Sequence, residues 1–228
     1  MLILKMQNER ILFAQNEGKA VFFKWAATLA FITILYNMVE GLISVFLGVE
    51  GGTVTLFGFG ADSFVEVISG IGIWHMVRRM RQNGNESPDR FEKTALKITG
   101  AAFYILTAVL AITSSVDLYM GYKPKTTFWG IIIAAVSISS MWALIHYKVS
   151  IGRRFNSQAL LSDAACTKTC LYLSVILLIA SAAYEMTGLG LLDSLGALGI
   201  AAFSFKEGRE AFEKARGESC CCGSVCKG

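Results

Sequence analysis

The chain has 228 residues, of which 54% are hydrophobic, with a mean hydropathy of +0.53 and a formal net charge of +4. The apolar residues fall in runs near the 20 or so that a helix needs to cross hydrocarbon, which excludes a soluble domain built on short core segments. The positive charge is not a nucleic-acid signature, because it sits on the flanks and alternate loops of those runs.

Residues 1–20, beginning Met1-Leu2-Ile3-Leu4-Lys5, read as an amphipathic lead-in lying along the cytoplasmic membrane surface. Apolar runs follow at 22–47, 55–80, 95–120, 126–149, 159–184 and 189–205, the last continuing amphipathically toward Arg216. Backbone groups in lipid must be satisfied within their own segment, so the runs predict an all-α membrane domain of six transmembrane helices over residues 21–216. The two prolines, Pro88 and Pro124, both fall between runs. Between the second and third runs, Gln82 to Arg90 contains Asn83-Gly84-Asn85 and Ser87-Pro88, a turn-rich loop. Arg78, Arg79, Arg81, Arg90, Lys93 and Lys97 flank that loop, and Lys148, Arg153 and Arg154 flank the one between the fourth and fifth runs. The opposite loops carry only Lys123 and Lys125. Basic residues favour the cytoplasmic side, so both termini are expected there, in a multi-pass protein of the cell membrane. The first twenty residues lack the apolar core and small-residue cleavage site of a signal peptide.

Residues 217–228 read as a cysteine-rich cytoplasmic tail, where Cys220, Cys221, Cys222 and Cys226 are expected to stay reduced. Such a cluster can capture a soft metal near the mouth of the bundle, or be acylated.

The chemistry lies in the second and fifth runs. Asp62-Ser63-Phe64-Val65-Glu66 sets two carboxylates four residues apart, and Cys166-Thr167-Lys168-Thr169-Cys170 does the same with two thiols. That spacing puts each pair on one helix face, and ionisable groups in hydrocarbon usually mark an ion pathway. If the two helices begin at Thr53 and Ala159 and rise about 1.5 Å per residue, Asp62 and Glu66 lie roughly 14 and 20 Å below the outer face. By the same rule Cys166 and Cys170 lie roughly 10 and 16 Å above the inner one. In a core about 30 Å thick this pairs Asp62 with Cys170 and Glu66 with Cys166 near the midplane. Two carboxylates and two thiolates form a mixed set suited to zinc, cadmium, mercury or copper(I). Loading such a set releases protons, so metal movement coupled to protons follows naturally. The bland alternatives are a structural ion pair of the carboxylates with Lys168, and cysteines that only fill space. Glu40, Asp163 and Asp193 are read as lining the route or pairing with Lys168. His75 and His146 are read as interfacial polar residues rather than ligands. Thiols at i and i+4 are poorly placed for a disulfide, which weighs against a redox enzyme; neither an enzyme activity nor a resident cofactor is expected.

Gly60-Ala61-Asp62-Ser63-Phe64-Val65-Glu66-Val67-Ile68-Ser69 resembles the second helix of the cation diffusion facilitators, where an acidic or His residue and an Asp stand four apart. Ser157-Gln158-Ala159-Leu160-Leu161-Ser162-Asp163-Ala164-Ala165-Cys166 resembles the lead into that family's fifth helix, usually marked by His and Asp. Leu192-Asp193-Ser194-Leu195-Gly196-Ala197-Leu198 resembles the start of its sixth, and Asn37 and Glu40 match polar positions of its first. The resemblance covers residues 20–216. It implies a homodimeric exporter working by proton antiport and alternating access, with Asp62, Glu66, Cys166 and Cys170 in the four ligand places. Glu66 stands where Asp is usual, and the two cysteines stand for His and Asp, which implies softer ions. The family's ferredoxin-like cytoplasmic domain is not expected in these 228 residues, so dimer contacts would rest on membrane helices. The competing reading is a membrane metal sensor or scaffold holding a structural ion.

Overall fold

Each apolar run of the sequence becomes one helix: α1 (Leu2–Gly51), α2 (Val54–Asn83), α3 (Arg90–Met120), α4 (Phe128–Arg154), α5 (Gln158–Thr187) and α6 (Leu191–Arg216). The structure, a computed structural model, describes the backbone of residues 2–83, 90–154 and 158–216. Within these it describes the side chains from Trp25 onward, except at 73, 77, 80–83, 92, 154, 158–163, 165 and 166. Among the described residues there is no strand. The residues of the predicted lead-in continue without a break into α1.

Five helices hold segments long and apolar enough to cross a membrane: Trp25–Gly51, Val54–Met76, Lys93–Met120, Phe128–Arg153 and Thr167–Thr187. The expected sixth span does not reach that standard. In α6 the apolar stretch stops at Phe205, and Lys206, Glu207, Arg209, Glu210, Glu213, Lys214 and Arg216 follow. Ion pairs Lys206–Glu210 (3.7 Å) and Arg209–Glu213 (2.8 Å) run along this charged half. The apolar half of α6 packs on α3, α5 and α2, so protein rather than lipid covers much of it.

Three glycines in left-handed conformation stop helices α1, α3 and α5: Gly52 (φ 67°), Gly121 (φ 66°) and Gly188 (φ 67°). Their connections gather at one end of the bundle, the turn end. There Lys125 N donates to Gly51 O at 2.9 Å, Thr53 Oγ1 to Thr126 O at 3.2 Å, and Thr127 N to Glu185 Oε1 at 2.6 Å. The basic helix ends at Arg78, Arg153 and Arg216 lie at the opposite, charged end.

The exterior is apolar and much of the interior polar, the inverse of a soluble bundle. Phe31, Leu42, Phe46, Ile105, Ile112 and Trp142 are exposed, whereas Asn37, Ser44, Asp62, Ser137, Ser174 and Ser204 are buried. On α4, Trp129 near the turn end and Tyr147 near the charged end are both exposed. They lie about 27 Å apart along the axis, close to the thickness of hydrocarbon that aromatic belts bracket.

The tightest pairings are α1 with α2, α3 with α6, and α4 with α5. Small residues permit them: a Cβ on Gly48 would lie 2.6 Å from Phe57 N, and one on Gly60 2.7 Å from Val45 N. The backbones of α1 and α2 therefore touch, which sets the side chains of α1 directly against α2. Gly48→Val is expected to force the pair apart and cost about 1–3 kcal/mol. A thermal midpoint in detergent equal to wild type would show that the close approach is dispensable.

Candidate metal site

Helix α2 touches α1, α3, α5 and α6, so polar residues on several of its faces are buried. Leu56, Phe59, Leu110, Leu173, Leu177 and Ile200 form an apolar plug toward the turn end. One turn further toward the charged end, the same helices turn polar. Asp62 is 3% exposed, and its Oδ1 accepts from Ser204 Oγ of α6 at 3.3 Å. Glu66 Oε2 accepts from Asn37 Nδ2 of α1 at 2.7 Å, and its Oε1 accepts from Cys170 Sγ of α5. Cys170 is buried, and its carbonyl accepts from Ser174 Oγ, which in turn meets Ser137 Oγ of α4 at 2.8 Å.

The register differs from the sequence expectation by one helical turn. Depth paired Asp62 with Cys170, whereas the structure sets Cys170 against Glu66. Four residues correspond to about 6 Å of rise, and the difference lies in where each helix sits in the bundle. Cys166 lies one turn further toward the charged end on α5; its side chain and that of Asp163 fall outside the described residues, as do Cys220, Cys221, Cys222 and Cys226. Among the described residues, no group of three or more His, Cys, Asp or Glu side chains converges in metal-holding geometry.

Glu40 joins the polar layer from α1, with Oε1 accepting from Tyr36 OH at 2.8 Å and Oε2 from Ser63 Oγ at 3.3 Å. Asp193 does something else. Its Oδ2 accepts from Val54 N at 2.8 Å and its Oδ1 from Thr55 N at 3.4 Å, while its carbonyl accepts from Thr55 Oγ1. It is the N-cap of α2, supplied from the first turn of α6, so it neither lines the polar layer nor pairs with Lys168. Asp193→Ala is expected to cost about 1–2 kcal/mol while Asp193→Asn, which keeps an acceptor, costs less. Equal unfolding midpoints for the two variants would refute the cap.

Lys168 is exposed, which removes it as the counter-charge of buried Asp62 and Glu66. The buried base is Lys148 of α4, fully enclosed, with Nζ donating to Thr167 Oγ1 at 2.8 Å. Sequence reading had taken Lys148 for a loop-flanking charge. It also missed Ser204 and Glu207 of α6; the latter's Oε1 accepts from Thr169 Oγ1 of α5 at 3.1 Å. The signal for Ser204 and Glu207 was only their spacing of three on one helix face. His75 packs on Phe91 (centroids 4.4 Å) and His146 on Trp142 (6.0 Å).

Residues 30–217 match the family model of the cation efflux transmembrane domain. The chain belongs to the cation efflux family. It is accordingly a multi-pass membrane protein of a family of cation transporters, and the resemblance carried by Asp62 to Glu66 extends over nearly all of the bundle. No individual curated protein matches the chain. In this cation efflux protein Glu66 of α2 faces the Cys170 thiol of α5, so the polar layer carries sulfur.

Proposed function

We propose that this protein exports a soft or borderline divalent cation, with zinc, cadmium and mercury as candidates, from the cytoplasm in exchange for protons. Asp62, Glu66, Cys166 and Cys170 bind the ion, and the bundle alternates access to it, as a homodimer joined through membrane helices. The observation that carries this reading is the contact between Cys170 Sγ and Glu66 Oε1 inside the bundle. A thiol donates its proton to the carboxylate there, and a cation ligated by both groups must displace that proton. Loading and proton release are thus one event at one pair of atoms.

The plug adds direction. Apolar side chains separate the polar layer from the turn end, while Glu207, Thr169 and Lys148 continue the polar character toward the charged end. The basic residues at that end favour the cytoplasm, which would place both termini there and let the ion enter from the cytoplasmic side. The tail cysteines would hold metal near that mouth.

Purified protein in liposomes loaded with a metal-sensitive dye tests the reading. Zinc or cadmium uptake driven by a proton gradient is the expected result. A wild type that binds these ions yet moves none of zinc, cadmium or mercury would instead be a sensor or scaffold.

A further inference from the structure

Asn37 is 2% exposed and stands on the face of α1 pressed against α2. Its Nδ2 donates to Glu66 Oε2 at 2.7 Å. The amide thus presents its NH2 to Glu66 and leaves its carbonyl oxygen facing another way. That oxygen, Asn37 Oδ1, is buried and has no hydrogen-bond partner among the described residues. Buried acceptors are nearly always matched in folded proteins.

The neighbours have few protons to offer. Tyr36 OH and Ser63 Oγ already donate to Glu40, and Cys170 Sγ already donates to Glu66. The orphan oxygen belongs to the same amide that holds Glu66, and a cation bound by Glu66 would satisfy it where a further hydrogen-bond acceptor would not.

We propose that Asn37 is part of the cation site: its NH2 positions Glu66, and its carbonyl oxygen is a neutral ligand to the transported ion. The proposal rests on the reading of Glu66 as a metal ligand and brings α1 into a site otherwise made by α2 and α5. It also narrows the cargo. A carbonyl oxygen added to a ligand set that includes thiols favours borderline zinc and cadmium over mercury, which thiolate alone would select.

The test is equilibrium dialysis of zinc and mercury with the purified full chain, alongside a thermal midpoint. Asn37→Leu, close in shape but without donor or acceptor, is expected to weaken zinc binding at least about tenfold and to lower the zinc-to-mercury preference. Asn37→Asp is expected to bind zinc at least as well as wild type, because it returns an oxygen and adds charge. A merely structural amide predicts the reverse order, since Asp opposite Glu66 sets two carboxylates together without the bridging NH2. Zinc affinity of Asn37→Leu within about twofold of wild type, or Asn37→Asp weaker than Asn37→Leu, overturns the proposal. Should the Leu variant fail to fold, Asn37→Ser serves: an intermediate loss supports the proposal and wild-type affinity overturns it. Glu66→Ala is the control. If it abolishes zinc binding while Asn37→Leu does not change it, the inference fails alone; if Glu66→Ala leaves binding intact, the site reading fails and the inference falls with it.

Discussion

Replacing both thiols of α5, as Cys166→Ser with Cys170→Ser, is expected to cut cadmium transport at least about tenfold more than zinc transport, a difference near 1.4 kcal/mol. A serine hydroxyl is a poor ligand for a soft ion, whereas a thiolate prefers one. The substitution is conservative for the fold, because a hydroxyl at position 170 can still donate to Glu66 Oε1 as Cys170 Sγ does. The variant therefore isolates sulfur from packing. The family's usual pair, introduced as Cys166→His with Cys170→Asp, should move the preference further toward zinc. Competition between cadmium and zinc in dye-loaded liposomes reads both variants, and an unchanged cadmium-to-zinc ratio in the serine variant would exclude the thiols as ligands.

Asp62→Asn is expected to reduce transport on the order of 100-fold while leaving stability equal or higher. Removing a direct ligand from a metal site costs at least what removing its supporting partner does. The near-isosteric amide keeps an oxygen that can accept from Ser204 Oγ, which now lies 3.3 Å from Asp62 Oδ1. It also removes a carboxylate from the bilayer core, where ionisable groups are expensive. Function and stability should thus move in opposite directions, as expected where a costly group is kept for its chemistry. Loss of both transport and thermal midpoint would mark Asp62 as a structural residue.

The two α5 observations show how far the linear chain could be read. The i, i+4 spacing of Asp62 with Glu66 and of Cys166 with Cys170 identified the two helix faces, because four residues make nearly one turn whatever surrounds them. The pairing between those faces was off by a turn. It depends on the axial position of α5 against α2, which long-range contacts set: Gly196 of α6 fits against Thr55 of α2 and Ala180 of α5, leaving no space for a side chain. The lysines make the same point. Lys148 and Lys168 look alike in sequence, but the packing of α4 on α5 encloses one while the other stays exposed.

The sequence by itself determined the class of protein, the helices with most of their limits, and the family. Those follow from run length, which the bilayer imposes, and from the spacing of a few polar residues within each run. Only the tertiary structure decided which polar residues meet. It assigned Asp193 to the cap of a helix that begins 139 residues earlier in the chain, removed Lys168 from the site, and brought Asn37 and Cys170 to Glu66. In a bundle whose exterior is largely apolar, hydropathy says little about which face turns inward. That choice belongs to close packing at glycine and to hydrogen bonds between helices, and neither is written in any one segment.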